Sequence, residues 1–209
     1  MSDTDLPSLS ARLENLIQIA KGCGEQQSVF EIEECRSSEV PIVLQASDSF
    51  VVFSDIKSAA DVVQFIWNIH HLVFHAISMG MPIRGAIAYG EALVQTDTVL
   101  FIGPAVIEAF ACEKRQAWAG ACLAPSLESY IEEERLSELL FPLVIPYTVP
   151  AHGDCAARFA VNWMADAFYL MDSEHVRTRF PECPAHDREY EKVQEKIFNT
   201  ATFLQECLR

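Results

Sequence analysis

One long amphipathic helix, with both ends written into the sequence, restricts the fold more than any other feature. Ser58 followed by Asp61 is a capping-box start, and Gly80 followed by Pro82 is a stop. Between them Val62, Ile66, Ile69, Val73 and Ile77 fall on one stripe, widened by Val63, Trp67 and Phe74. At about 1.5 Å per residue the helix is roughly 30 Å long, enough to cross a whole sheet.

The neighbouring segments supply strands for such a sheet. Pro41-Ile42-Val43-Leu44 and Phe50-Val51-Val52-Phe53 are β-rich runs on either side of Ala46-Ser47-Asp48, which predicts a hairpin with Asp48 at or beside its turn. Residues 82–89 form a strand so rich in Gly and Ala that another backbone or a ligand is expected close by. A second hairpin runs through 92–94 and 99–102, and a helix opens at Pro104, where a missing N–H costs nothing. Further strands are expected at 118–123, 143–149 and 158–163, with a mostly helical stretch at 126–140. Helices are also read at 8–21 and at about 187–208, and a weak edge strand at 29–33. Hairpins mixed with one long crossover give an α+β class. The expected organisation is one domain over 1–165, followed by a linker and helical extension over 166–209.

Composition narrows function mainly by exclusion. Half of the 209 residues are hydrophobic and 22% are charged, enough for a full core. A formal net charge of -15 argues against a nucleic-acid surface, which needs clustered Lys and Arg, and against docking on anionic membranes. The seven cysteines are scattered and odd in number, and the start lacks a basic segment and an apolar block. A cytoplasmic protein with reduced thiols is therefore expected.

Four short motifs carry what chemistry is legible: Ser47-Asp48-Ser49-Phe50-Val51-Val52; Arg84-Gly85-Ala86-Ile87-Ala88-Tyr89-Gly90-Glu91; Phe101-Ile102-Gly103-Pro104-Ala105 with Glu108-Ala109-Phe110; and Phe159-Ala160-Val161-Asn162-Trp163. In that order they resemble the class III nucleotidyl cyclase domain, and more closely the bacterial branch that includes the Pycsar pyrimidine cyclases of anti-phage defence. The resemblance implies a ferredoxin-like, mainly antiparallel sheet with helices on one face, and a homodimer with its active site between subunits. It also implies conversion of a nucleoside triphosphate to a 3′,5′-cyclic monophosphate and pyrophosphate. Asp48 matches the second of two metal-binding aspartates, which would hold Mg²⁺ or Mn²⁺ through hard oxygen ligands. Arg84 matches a position that clamps the terminal phosphates in some relatives, a task suited to a planar fork.

The same residues have plainer readings. Asp48 in an Ala-Ser-Asp-Ser turn fits an Asx-turn or cap, and Arg84 could pair with a surface carboxylate. Glu91 reads as a solvated turn residue, and Glu108, Glu113, Lys114 and Arg115 as a charged helix face. The chain also departs from the family pattern. It begins Met1-Ser2-Asp3-Thr4-Asp5-Leu6-Pro7, without the apolar opening strand that carries the first metal aspartate. Ile107 and Ala111 stand where adenylyl and guanylyl cyclases place a transition-state Asn and Arg, and Leu44 and Leu100 near the base-selecting positions. Two outcomes are compatible with this: a start placed inside a longer gene, or a catalytically inactive nucleotide-binding or dimerisation module. A missing strand would leave neighbouring edges for something else, such as a partner subunit, to cover.

Two metal patterns compete with that reading. His152-x2-Cys155 with Cys183-x2-His186 could build a tetrahedral zinc site, and His71 and His75 lie one helical turn apart. No Glu follows His71 as a zinc-protease motif requires, so packed helix histidines are expected there.

Overall fold

In a computed structural model, the chain is described over residues 6–22, 41–46, 49–153, 157–165, 178, 185 and 189–207. The elements in chain order are α1 (Leu6–Gly22), β1 (Ile42–Ala46), β2 (Ser49–Phe53), α2 (Ala59–Ser78), β3 (Arg84–Ile87), β4 (Leu93–Gln95) and β5 (Leu100–Ile102). They continue as α3 (Pro104–Arg115), β6 (Gly120–Leu123), α4 (Pro125–Glu133), α5 (Ser137–Leu140), β7 (Val144–Pro146), β8 (Phe159–Val161) and α6 (Tyr190–Cys207). The class is α+β, and four of the five strand pairings among the described residues are antiparallel.

Helix α2 forms as its sequence predicts. Ser58 is in extended conformation, its backbone N–H donates to the Asp61 carboxylate at 2.8 Å, and a capping box closes the first turn. Its stripe is buried at Val62, Ile66, Val73 and Ile77 and half-buried at Ile69, with Val63, Leu72 and Ala76 enclosed beside it. Fully burying an aliphatic side chain is worth about 1.5–3 kcal/mol, so this one face anchors much of the core.

The strands form three sheets among the described residues. The largest has the order β3-β6-β8-β7, with β3 parallel to β6 and the other neighbours antiparallel. The hairpins β1–β2 and β4–β5 stand apart from it. The first has the register Ala46↔Ser49, so residues 47 and 48 connect the strands. Asp48 and the strand anticipated at 29–33 lie outside the described residues.

The C-terminal helix, read from the sequence as an extension, packs into the main core. Phe203 is fully buried against Trp118, Tyr147 and Trp163, with ring centroids 4.7, 4.8 and 5.9 Å away. Thr200 Oγ1 accepts from the Ala119 N–H at 2.9 Å, and Asn199 Nδ2 donates to the Ala117 carbonyl at 2.8 Å. These bonds pair backbone groups at the entrance to β6 with the C-terminal helix. No helix among the described residues is long and apolar enough to cross a membrane.

Candidate functional site

A cleft of about 1400 Å³ opens between β2 and β3, with α2 as its floor. Its far end is formed by residues 88–94 and by the corner where β5 turns into α3. That corner is tight: a Cβ on Gly103 would run into the Glu91 carbonyl and lie 2.8 Å from the Ala92 Cα. Glycine therefore lets the start of α3 close against the backbone at that end of the cleft.

Arg84, the first residue of β3, lies in the cleft wall. Its Nε donates to the Glu113 carboxylate on α3, and its Nη1 donates to the Gln116 carbonyl at 3.2 Å. Both side chains of the pair are about one-third exposed, at 32% and 31%. The plainer reading of Arg84, an ion pair with a carboxylate, is thus realised, in a half-buried setting rather than on the open surface.

Gln116 is a polar hub that sequence reasoning missed. It is fully buried; its Nε2 donates to the Gly85 carbonyl at 2.7 Å and lies 3.3 Å from the Cys112 carbonyl and 3.2 Å from Cys122 Sγ. Its Oε1 accepts from Trp118 Nε1 at 2.7 Å. One amide thereby ties β3, α3 and β6 together directly beneath Arg84, with both of its ends satisfied. A lone Gln after a Lys-Arg helix end carries no signal of this in the sequence.

The reading of α3 as a plain charged face is corrected at two positions. Glu113 holds Arg84, and Glu108 Oε1 accepts from the Ser126 N–H at 3.1 Å, satisfying a first-turn donor of α4. Ser126 in turn accepts from the Tyr89 N–H at 3.0 Å, and the Tyr89 ring stacks on Tyr130 with centroids 3.9 Å apart. Glu91 is exposed, as a solvated turn residue should be. Ile107 is 66% exposed and Ala111 is exposed, so α3 presents apolar side chains at both transition-state positions. Leu44 is buried and Leu100 exposed.

Asp48 lies outside the described residues; its chain neighbour Ser49 lines the same cleft as Arg84. The carboxylates described along the cleft are Asp55, paired with Lys57 at 3.4 Å, Glu91, and Glu113 on its arginine. Among the described residues no group of three or more His, Cys, Asp or Glu is placed to hold a metal ion.

The helix histidines are packed. His70 is buried with Nδ1 2.7 Å from the Asn162 carbonyl, and His71 meets Trp67 edge-on at 4.6 Å. Burial, reinforced by neighbouring His70, pushes the His75 pKa down. Of the zinc pattern only His152 is described, exposed and 3.9 Å from Glu195; Cys155, Cys183 and His186 lie outside the described residues.

No family model, no curated protein and no solved structure matches this chain.

Proposed function

We propose that the chain is a nucleotidyl-cyclase-like domain that binds a nucleoside triphosphate in the cleft beside Arg84 without cyclising it unaided. The observation that carries this reading is the Arg84–Glu113 pair. A guanidinium in a cleft wall is a phosphate clamp in form, but here a carboxylate occupies the place a phosphate oxygen would take. Triphosphate binding then proceeds by exchange of one anion for another. The apolar Ile107 and Ala111 offer no donor to steady charge on a transferring phosphorus.

The ferredoxin-like topology belongs to the same proposal, with β1–β2 and β3 as two parts of one interrupted sheet across the cleft. So does the homodimer: Leu100, Ile102, Ile107 and Phe110 leave an exposed apolar surface on β5 and α3, a composition suited to contact with a second copy.

Cyclisation is the second reading, favoured by Ser49, next to Asp48, lining the cleft that Arg84 lines. In that reaction a ribose 3′-oxygen bonds to the α-phosphorus, the bond from that phosphorus to the pyrophosphate oxygen breaks, and the hydroxyl proton leaves to solvent or base. Mg²⁺ or Mn²⁺ would supply charge neutralisation with Asp48 as one ligand. The carboxylates described along the cleft form no ligand set around such an ion, so no further step is derived through it.

The test is incubation with each of the four common ribonucleoside triphosphates and Mn²⁺, scored for bound nucleotide and for pyrophosphate. Saturable binding without pyrophosphate is expected. Pyrophosphate release would replace this reading with the enzyme reading, and absence of binding by every triphosphate would reject both.

A further inference from the structure

We propose that Tyr89 and Tyr130 form a modification site: under one-electron oxidation driven by peroxide they couple to each other in an intramolecular dityrosine link. The inference goes beyond nucleotide binding and holds whatever the cleft takes up.

The fold holds these two phenols closer than aromatic rings ordinarily sit. Tyr89 lies just past the end of β3 and Tyr130 on α4; their ring centroids are 3.9 Å apart and their planes 25° from parallel. Aromatic pairs prefer offset or edge-to-face arrangements with centroids about 4.5–7 Å apart, because stacking face on face sets two negative faces together. Two backbone anchors hold the contact in place. The Tyr89 N–H donates to Ser126 Oγ at 3.0 Å, and the Ser126 N–H donates to Glu108 at 3.1 Å, so Tyr89 is tied to the first turn of α4. Tyr130 stands one turn further along that helix, and helical side chains lean back towards the N-terminus. Its ring therefore falls on the Tyr89 ring.

The hydroxyls meet as well. Partial burial, the neighbouring Tyr89 and Glu134, a side-chain hydrogen bond with Tyr89, and Asp61 together push the Tyr130 pKa up. Tyr130 thus stays a phenol at neutral pH and is joined to its partner through that bond. Both residues are half-buried, which admits electron loss to a small oxidant and hinders face-on contact with a tyrosine of another chain. Among the described residues no other tyrosine stacks on a tyrosine; Tyr147 meets Trp118 and Phe203 instead.

The chemistry balances with hydrogen peroxide as oxidant. Each ring gives up one electron and its hydroxyl proton, leaving a radical that is shared with the carbons ortho to oxygen. One ortho carbon of each ring joins in a new C–C bond, and the hydrogen on each of those carbons moves to its oxygen, restoring two phenols. The pair loses two hydrogen atoms in all, and the peroxide takes them to become two waters. Holding the rings in contact replaces a chance encounter of two radicals with a step inside one molecule. Because Tyr89 also lines the cleft, the bond would fix the far end of the cleft to α4.

The test is treatment of the full chain with a haem peroxidase and hydrogen peroxide, followed by reduction, alkylation and digestion after Lys and Arg. Tyr89 then lies in peptide 85–114 and Tyr130 in peptide 116–135. The expected product is those two peptides joined, two hydrogen atoms lighter than their sum, with dityrosine fluorescence. Its yield should not change over a tenfold range of protein concentration and should fall at least tenfold in urea-unfolded chain. Tyr89→Phe, which keeps the stack and removes one phenol, should abolish it, and Tyr190→Phe should leave it unchanged. Absence of the joined peptide under conditions that couple free tyrosine would overturn the proposal. So would a yield that rises with protein concentration, an equal yield from the unfolded chain, or persistence in Tyr89→Phe.

Discussion

Replacing Glu113 with glutamine tests the anion-exchange idea directly, because it keeps the shape and acceptor of the partner while removing its charge. The Arg84–Glu113 pair is about one-third exposed on each side. At an effective dielectric near 20, opposite charges about 4 Å apart attract by roughly 4 kcal/mol, and most of that is offset by lost hydration and by water at the open side. A net contribution of about 1–2 kcal/mol is reasonable for a half-buried charged hydrogen bond. Glu113→Gln should then lower the melting temperature by about 2–8 °C in a chain of this size. The same 1–2 kcal/mol is what a triphosphate must overcome to take the guanidinium from Glu113. Its removal should tighten the dissociation constant by roughly 5- to 30-fold. The assay is equilibrium anisotropy with a fluorescently labelled nucleoside triphosphate at about 0.15 M salt, run beside thermal melts of each variant. Arg84→Ala should abolish the gain, leaving Arg84→Ala and the double variant with equal affinity. If Glu113→Gln binds no more tightly than the parent, or tightens equally in the Arg84→Ala background, Arg84 is not the phosphate contact. The reasoning then fails at its base.

Further tests address the packing that holds the site in place. Gly120 opens β6 at φ 156°, and a Cβ there would lie 2.6 Å from Trp118 Cη2 and 2.8 Å from Cζ2 and Cζ3. Trp118 is 1% exposed and its Nε1 is bonded to Gln116, so the ring cannot step aside. Gly120→Ala should lose about 2–4 kcal/mol in a denaturant titration, while Gly85→Ala, with open space around it and no positive φ, should gain up to about 1 kcal/mol. Equal losses at the two glycines would refute the contrast. Stability should also fall at alkaline pH. Burial pushes Cys207 from 9.0 up to about 12 and Tyr147 from 10.0 up to about 12, each aided by nearby acidic groups. The folded chain therefore keeps protons that the unfolded chain releases, so stability is full below about pH 9 and declines as pH rises towards 12. Urea midpoints at pH 8, 9.5 and 10.5 should fall in that order, less steeply at the first step in Cys207→Ala; a flat profile would contradict it.

The sequence alone determined what depends on neighbours along the chain. Capping residues and apolar spacing located α2 and α3, and β-rich runs located β1–β2 and β4–β5, all close to their observed bounds. These signals are legible because helix and strand periods act over a few residues. The small-residue run at 82–89 proved shorter as a strand, Arg84–Ile87, because its pairing with β6 ends at Leu123, before Pro125 opens α4.

Only the tertiary structure decided which groups meet. Arg84 and Glu113 are 29 residues apart, and Gln116 reaches Gly85 across 31. Neither pairing leaves a periodic trace, because many carboxylates and amides of this acidic chain could have served. The same holds for the separation of β1–β2 from β3. A strand's own sequence specifies which side chains it buries, whereas the partner of its second edge is chosen by the shape of everything packed around it. That shape brings Arg84 and Glu113 together in the wall of one cleft, and it is where the chemistry of this protein is to be sought.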